Sequence, residues 1–177
     1  MTTTLFTNAH IATGEPGSTA ASTLPLQDIL VTDGVFTAFG PGLAQQYEAQ
    51  GGDLAAIEVV DLGGKLVCPP FCDTHLHLDY VFTARKPGAV NESGTLFEGI
   101  QRWSETKSDL TVDEIKQRAK IGIKKEMLHG VQLIRSHADV TDPNLTSLKA
   151  LLELKEELKD TVTLQIVSFP QEGMYSY

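Results

Sequence analysis

Phe71-Cys72-Asp73-Thr74-His75-Leu76-His77-Leu78-Asp79, which directly follows the apolar run Lys65-Leu66-Val67-Cys68-Pro69-Pro70, decides how this chain folds and what it can bind. In an extended strand alternate side chains point the same way, so His75 and His77 project together while Leu76 and Leu78 point oppositely. Two imidazoles can then grip one ion. Imidazole suits zinc, iron, copper and nickel alike, so the pair alone does not choose the metal. A His-x-His pair in an arbitrary strand is more often two surface histidines than a ligand pair. Its position at the C-terminal end of a short apolar run favours the metal reading, because that end of an α/β barrel strand carries the chemistry.

Outward from this stretch, the sequence after Gly64 alternates between strand and helix patterns. Leu66 to Cys68 opens the first strand, and a long connection containing Asn91 to Ile100 follows it. Thr111 is placed to cap a helix with Glu114 returning the hydrogen bond, and Ile115, Ala119, Ile123 and Met127 recur at helical spacing up to Gly130. The second strand is Val131 to Ser136, with His137 and Asp139 at its end. Asp142-Pro143 then reads as the start of a helix whose apolar side is Leu148, Leu151, Leu152 and Leu158, with Lys149 and Glu153 paired on the wet side. The third strand is Val162 to Phe169, ending in Pro170-Gln171-Glu172-Gly173. Strands alternating with amphipathic helices imply a parallel sheet with right-handed crossovers.

Residues 1–64 look all-β and Gly-rich. Ile29 to Phe39 has the form of a hairpin, with Asp33-Gly34 supplying the positive backbone angles of a tight turn. Ile57 to Leu62 reads as another strand. Gly14 to Ala21 and Gly40 to Asp53 read as loops or weak structure.

The chain has 177 residues and a formal net charge of -9, with no clustered Lys and Arg, which argues against a nucleic-acid surface and for a small-molecule partner. Met1-Thr2-Thr3-Thr4 carries no targeting pattern and no apolar run approaches bilayer length, so no membrane partner is expected and the expected location is cytoplasmic. Cys68 and Cys72 are too few for a structural zinc site and read as small apolar filler, with a ligand role for Cys72 as the alternative. The sequence ends four residues after Gly173. A three-stranded parallel sheet with an apolar third strand is a poor stopping point, so a longer parent chain, a complementing chain or a homo-oligomer is expected to complete it.

Pro69-Pro70-Phe71 with His75-Leu76-His77-Leu78-Asp79, Ser93 to Ile100, Leu148-Lys149-Ala150, Leu164 to Val167 and Phe169-Pro170-Gln171-Glu172-Gly173 resemble the bacterial cytosine deaminases of the amidohydrolase superfamily. The likeness covers nearly everything after Gly64. It implies an α/β fold: the first three strands of a metal-dependent (β/α)8 TIM-like barrel over 65–177, incomplete in this chain, preceded over 1–64 by a small β-sandwich-type domain. It also implies the conversion of cytosine to uracil and ammonia with iron or zinc as cofactor.

Carried over by motif, His75 and His77 are metal ligands, Gln171 holds the amide edge of the pyrimidine, and Leu96 lends backbone groups to the ring. The resemblance places the remaining ligands and the general acid/base beyond Tyr177, so the isolated chain is expected to bind metal poorly and to be inactive. His137 and Asp139 are candidates for support around the ligands or substrate, with a structural role for His137 equally open. Glu172 reads as a surface carboxylate, Asp79 as orienting a loop or a histidine, Trp103 as packing, and His10 and His129 as structural or solvent-facing. Two other readings stay open: an amidohydrolase acting on another cyclic amidine or triazine, and a non-catalytic half-barrel or associating fragment.

Overall fold

Leu66 and Val67 do not open the strand that carries the histidines; they pair in parallel with His10 and Ile11. An apolar run of this length looks the same whichever sheet it joins, and here it closes the first of two units, 1–69 and 70–177. The computed structural model describes residues 2–12 and 24–174. Gly14 to Ala21, read above as loop, lies outside the described residues.

The first unit holds β1 (Thr3–Ile11), β2 (Leu26–Thr32), β3 (Val35–Gly40), β4 (Glu58–Asp61) and β5 (Leu66–Val67). They form one sheet in the order β3-β2-β1-β4, with β5 also on β1. Among the described residues this single sheet stands where a sandwich was expected. The β2–β3 turn has the anticipated form, with Asp33 at φ 50° and Gly34 at φ 78°. The stretch after Gly40 is not loop throughout, because α1 (Leu43–Ala49) forms there. Its first amide, Leu43 N–H, donates to the Asp28 carboxylate at 2.9 Å, a cap fifteen residues away that local sequence does not reveal.

The second unit is a parallel sheet, β6 (Phe71–Leu76), β7 (Val131–Asp139) and β8 (Thr163–Phe169), in that order. Two helices, α3 (Val112–Leu128) and α4 (Thr146–Glu157), pack together and against its strands. Thr111 caps α3 as expected, its hydroxyl accepting the Glu114 amide at 3.2 Å. Ile115, Ala119, Gly122 and Ile123 face a core shared with Ile134, Leu151, Leu154 and Leu164. In α4 the buried side is Ser147, Ala150, Leu151 and Leu154, and Leu152 is exposed. Glu153 reaches across to Lys116 of α3 at 2.8 Å rather than pairing with Lys149. Asp142 caps a turn ahead of the helix, accepting from Asn144 and Thr146, and α4 starts only after Leu145, which sits at φ 51°.

A fourth helix of the chain, α2 (Leu96–Lys107), occupies most of what was read as connection. Thr95 caps it, its hydroxyl accepting the Glu98 amide at 3.4 Å. Pairing of β6 with β7 contains two irregularities of opposite sense. Phe71 is level with Val131 and Leu76 with Ser136, yet Cys72 is level with Leu133 and Asp73 with Ile134. Asp73 Oδ1 accepts the His75 amide at 2.9 Å at the second irregularity, replacing a ladder bond with a local one.

Candidate metal centre

His75 ends up beside His77 and His137, with ring centroids 5.4 Å and 4.3 Å away, and His77 and His137 lie 5.7 Å apart. His77 also stacks on Tyr80 at 4.8 Å and meets Phe169 edge-on at 5.5 Å. The pair predicted from spacing is therefore drawn into an aromatic cluster at the C-terminal ends of the three strands. Its protonation pattern follows from one contact. Nδ1 of His77 lies 3.0 Å from the backbone oxygen of His137. A carbonyl only accepts, so Nδ1 carries the proton and Nε2 keeps its lone pair. Burial pulls the His77 pKa down, against the opposing effect of that hydrogen bond, and the neighbouring imidazoles lower it further. A neutral imidazole with its second nitrogen orienting the ring is the form a metal ligand needs.

Thus His137 supports His77 through its main chain, while its own Nδ1 is buried without a hydrogen-bond partner. Among the described residues no group of three or more His, Cys, Asp or Glu side chains could hold a metal ion. The donor set fits two coordination positions, supplied by His75 and His77.

Asp139 is committed elsewhere. Its Oδ2 accepts from Trp103 Nε1 at 2.7 Å and from Lys107 Nζ at 3.2 Å, and its Oδ1 accepts from Thr141. Burial raises its pKa, but these donors outweigh it and the net shift is downward. Asp79 is fully buried and accepts the Asp139 amide at 2.8 Å, so it orients the end of β7. Burial pushes its carboxyl up to about 6. Arg118 of α3 holds the loop after β6, donating to the carbonyls of Asp79 and Val81 at 2.9 and 3.0 Å.

A cleft of about 450 Å³ opens beside the histidines, lined among others by Tyr80, Asn91, Gly99 and Trp103. The same four residues wall a second cavity, of about 350 Å³, that also contains Leu96 and Gln171. The loop ahead of Leu96 is held by Glu98, whose carboxylate accepts the amides of Glu92 and Ser93 at 3.1 and 2.6 Å. The Ser93 hydroxyl and the two amides hold the Glu98 carboxyl down at about 2.

Several sequence expectations change here. Glu172 is not a free surface carboxylate, since it takes a 2.6 Å bond from Lys107. Cys68 and Cys72 are both exposed rather than apolar filler. Trp103 is 5% exposed, so it packs, but it is also a hydrogen-bond donor to Asp139. Lys107 was not anticipated at all; the signal that could have led to it was the Thr95-x-x-Glu98 helix start, which puts Lys107 on a helix facing the strand ends. No described helix is long and apolar enough to cross a membrane.

Residues 58–177 match the amidohydrolase family. The chain is 35% identical over 120 residues to N-isopropylammelide isopropyl amidohydrolase of Pseudomonas sp. (strain ADP), covering 66% of this chain and 30% of that protein. It is 27% identical over 152 residues to pterin deaminase of Rhizobium rhizogenes, covering 83% and 32%. Among solved structures, 5-methylcytosine deaminase from Klebsiella pneumoniae liganded with 5-fluorocytosine superposes with a TM-score of 0.78 at 40% identity, covering 98% of this chain and 38% of that one. The chain spans about a third of the length of the relatives it matches.

Proposed function

The chain belongs to the amidohydrolase family, and we propose that it forms the amino-terminal portion of a hydrolytic deaminase of the cytosine type, which exchanges a pyrimidine's ring amino group for oxygen and releases ammonia. The observation that carries this reading is the His75/His77 pair with the His77 tautomer fixed by the His137 carbonyl. His75 and His77 would supply two of the ligands of a divalent ion, iron or zinc. When bound, that ion supplies the Lewis acidity that makes water nucleophilic near neutral pH.

The residues of this chain then bind and orient. Gln171 presents both an acceptor and donors to the cyclic amide edge of the ring. Backbone groups at Leu96 meet the ring from the start of α2. His137 fixes His77 by its carbonyl, and Asp79, by accepting the Asp139 amide, fixes the end of the strand that supplies that carbonyl. The general acid and base, and the remaining ligands, belong to the part of such an enzyme that this chain does not span. The two units serve as the small β domain and the opening of the barrel, and the sheet is completed by further polypeptide, whether of the same chain, a complementing chain or another copy. Alone, the 177 residues bind metal weakly and turn over no cytosine.

A second reading replaces the pyrimidine with a triazine, favoured by the similarity to N-isopropylammelide isopropyl amidohydrolase. The test supplies the chain with zinc or iron, alone and fused to the rest of the Klebsiella 5-methylcytosine deaminase polypeptide. The fusion should release ammonia from cytosine, and His75→Ala or His77→Ala should abolish this. A fusion that takes up metal and releases isopropylamine from N-isopropylammelide, but no ammonia from cytosine, would favour the triazine.

A further inference from the structure

Lys107 is a buried cation with every proton assigned. Its side chain is 7% exposed. Its ammonium donates to Glu172 Oε1 at 2.6 Å, to Thr141 Oγ1 at 2.6 Å and to Asp139 Oδ2 at 3.2 Å. An ammonium has three protons, and here three acceptors from two strand ends receive them. Burial alone would lower its pKa, but Glu172 and Asp139 reverse that, and the net shift is upward.

A buried ion pair is weak evidence for stability, because removing charges from water offsets much of the attraction. Its firmer consequence is geometric. Lys107 ends α2, and Leu96 begins it, about 16 Å away along a rigid helix at 1.5 Å per residue. Glu172 directly follows Gln171 in the turn after β8. Gln171, Leu96 and Trp103 of α2 wall one cavity. One helix therefore contributes part of that wall, and its last residue grips the turn that contributes another part.

Resting on the deaminase reading above, we propose that Lys107 is a positioning residue, which through Glu172 holds Gln171 at a fixed distance from Leu96 and so sets the affinity for the ring. The electrostatics give the direction of failure. Without the ammonium, Asp139 and Glu172 face one another as two carboxylates, and their repulsion is no longer offset by a cation, with the Ser104 hydrogen bond left to hold Glu172. Glu172 is on a turn and Asp139 is within a strand, so the turn moves and takes Gln171 with it.

The test compares wild type, Lys107→Met, Lys107→Arg and Glu172→Gln in the full 177-residue chain. Backbone relaxation by NMR should give order parameters near ~0.85 at Gln171 to Gly173 in wild type and below ~0.6 in Lys107→Met, with α3 and α4 unchanged. Lys107→Arg restores the charge and should restore the order. Glu172→Gln keeps the size of the side chain and should loosen the same turn, covering the case in which Lys107→Met does not fold. Cytosine titrated into the same variants fused to the rest of the Klebsiella 5-methylcytosine deaminase polypeptide should bind at least tenfold more weakly to Lys107→Met than to wild type, with Lys107→Arg recovering most of the loss. An ordered turn in both loosening variants, or loosening spread equally over α3 and α4, overturns the positioning role. If the wild-type fusion binds no cytosine, the deaminase reading falls, while the order parameters still test the positioning role of Lys107.

Discussion

Replacing Trp103 with phenylalanine should destabilise the second unit by about 3 kcal/mol. The indole N–H gives Asp139 a 2.7 Å hydrogen bond in a buried setting, and a bond to a charged acceptor is worth about 1.5–3 kcal/mol. The smaller ring leaves apolar area unfilled beside Tyr80, whose ring lies 4.9 Å away, costing roughly 1 kcal/mol at ~25 cal/mol per Å². Asp139 keeps Lys107 and Thr141, so its charge is not stranded and the loss stays below that of a buried carboxylate left alone. Trp103 is the single tryptophan of the chain, so the assay is urea denaturation followed by far-UV ellipticity rather than fluorescence. Asp139→Asn, alone and combined with Trp103→Phe, closes a double-mutant cycle with an expected coupling of about 1–2 kcal/mol. A Trp103→Phe loss under about 1 kcal/mol, or full additivity in the cycle, would refute the account of a strong buried hydrogen bond from Trp103 to the Asp139 carboxylate.

Two further outcomes are expected. Asp79 has a carboxyl raised from 3.8 to about 6 by burial, so in the metal-free chain its contribution to stability is complete below 3.8 and is lost as pH rises through about 6. That rise corresponds to about 3 kcal/mol; denaturation at pH 4 and pH 7 should show the difference in wild type, and a slope unchanged in Asp79→Asn would contradict it. Glu98 works in the opposite sense, since its carboxyl is held at about 2 against an ordinary 4.5. The order it confers on residues 91–95 is present above pH 4.5 and is lost as pH falls through about 2. Glu98→Gln should broaden or shift the Glu92 and Ser93 amide resonances at neutral pH, and spectra identical to wild type would remove the role assigned to that carboxylate.

What could be read from sequence was whatever depends on neighbours in the chain. The Asp33-Gly34 turn, the Thr111 cap and the β7 and β8 strands are set by local dihedral preference and periodicity, and they appear where those rules put them. The start of α2 was equally local at Thr95 and Glu98, but an apolar Leu96-Phe97 that remains exposed gave it no helical stripe. Leu66 and Val67 show the limit of composition, because an apolar pair does not say which sheet it joins.

At the site, the side chains His75 and His77 were visible as a motif, whereas the group that orients His77 is a main-chain oxygen, which every residue has. Lys107, Glu172 and Asp139 are separated by 32 to 65 residues in their contacts, so their union is a product of the fold. Asp139 stood out in the sequence only by its place at the end of a strand, and Lys107 only by its place on the helix that Thr95 and Glu98 start.

The opposed irregularities in β6 and β7 impose a constraint of a different kind, one of residue number. From Phe71 to Leu76 and from Val131 to Ser136 each strand advances five residues, so the two offsets cancel before His77 meets the His137 carbonyl. Within that interval Cys72 and Thr74 are exposed. An insertion or deletion of one residue there would slide the imidazole off its carbonyl and turn it toward the opposite face. Over evolutionary time this segment should therefore hold constant in length, with His75 kept inside it.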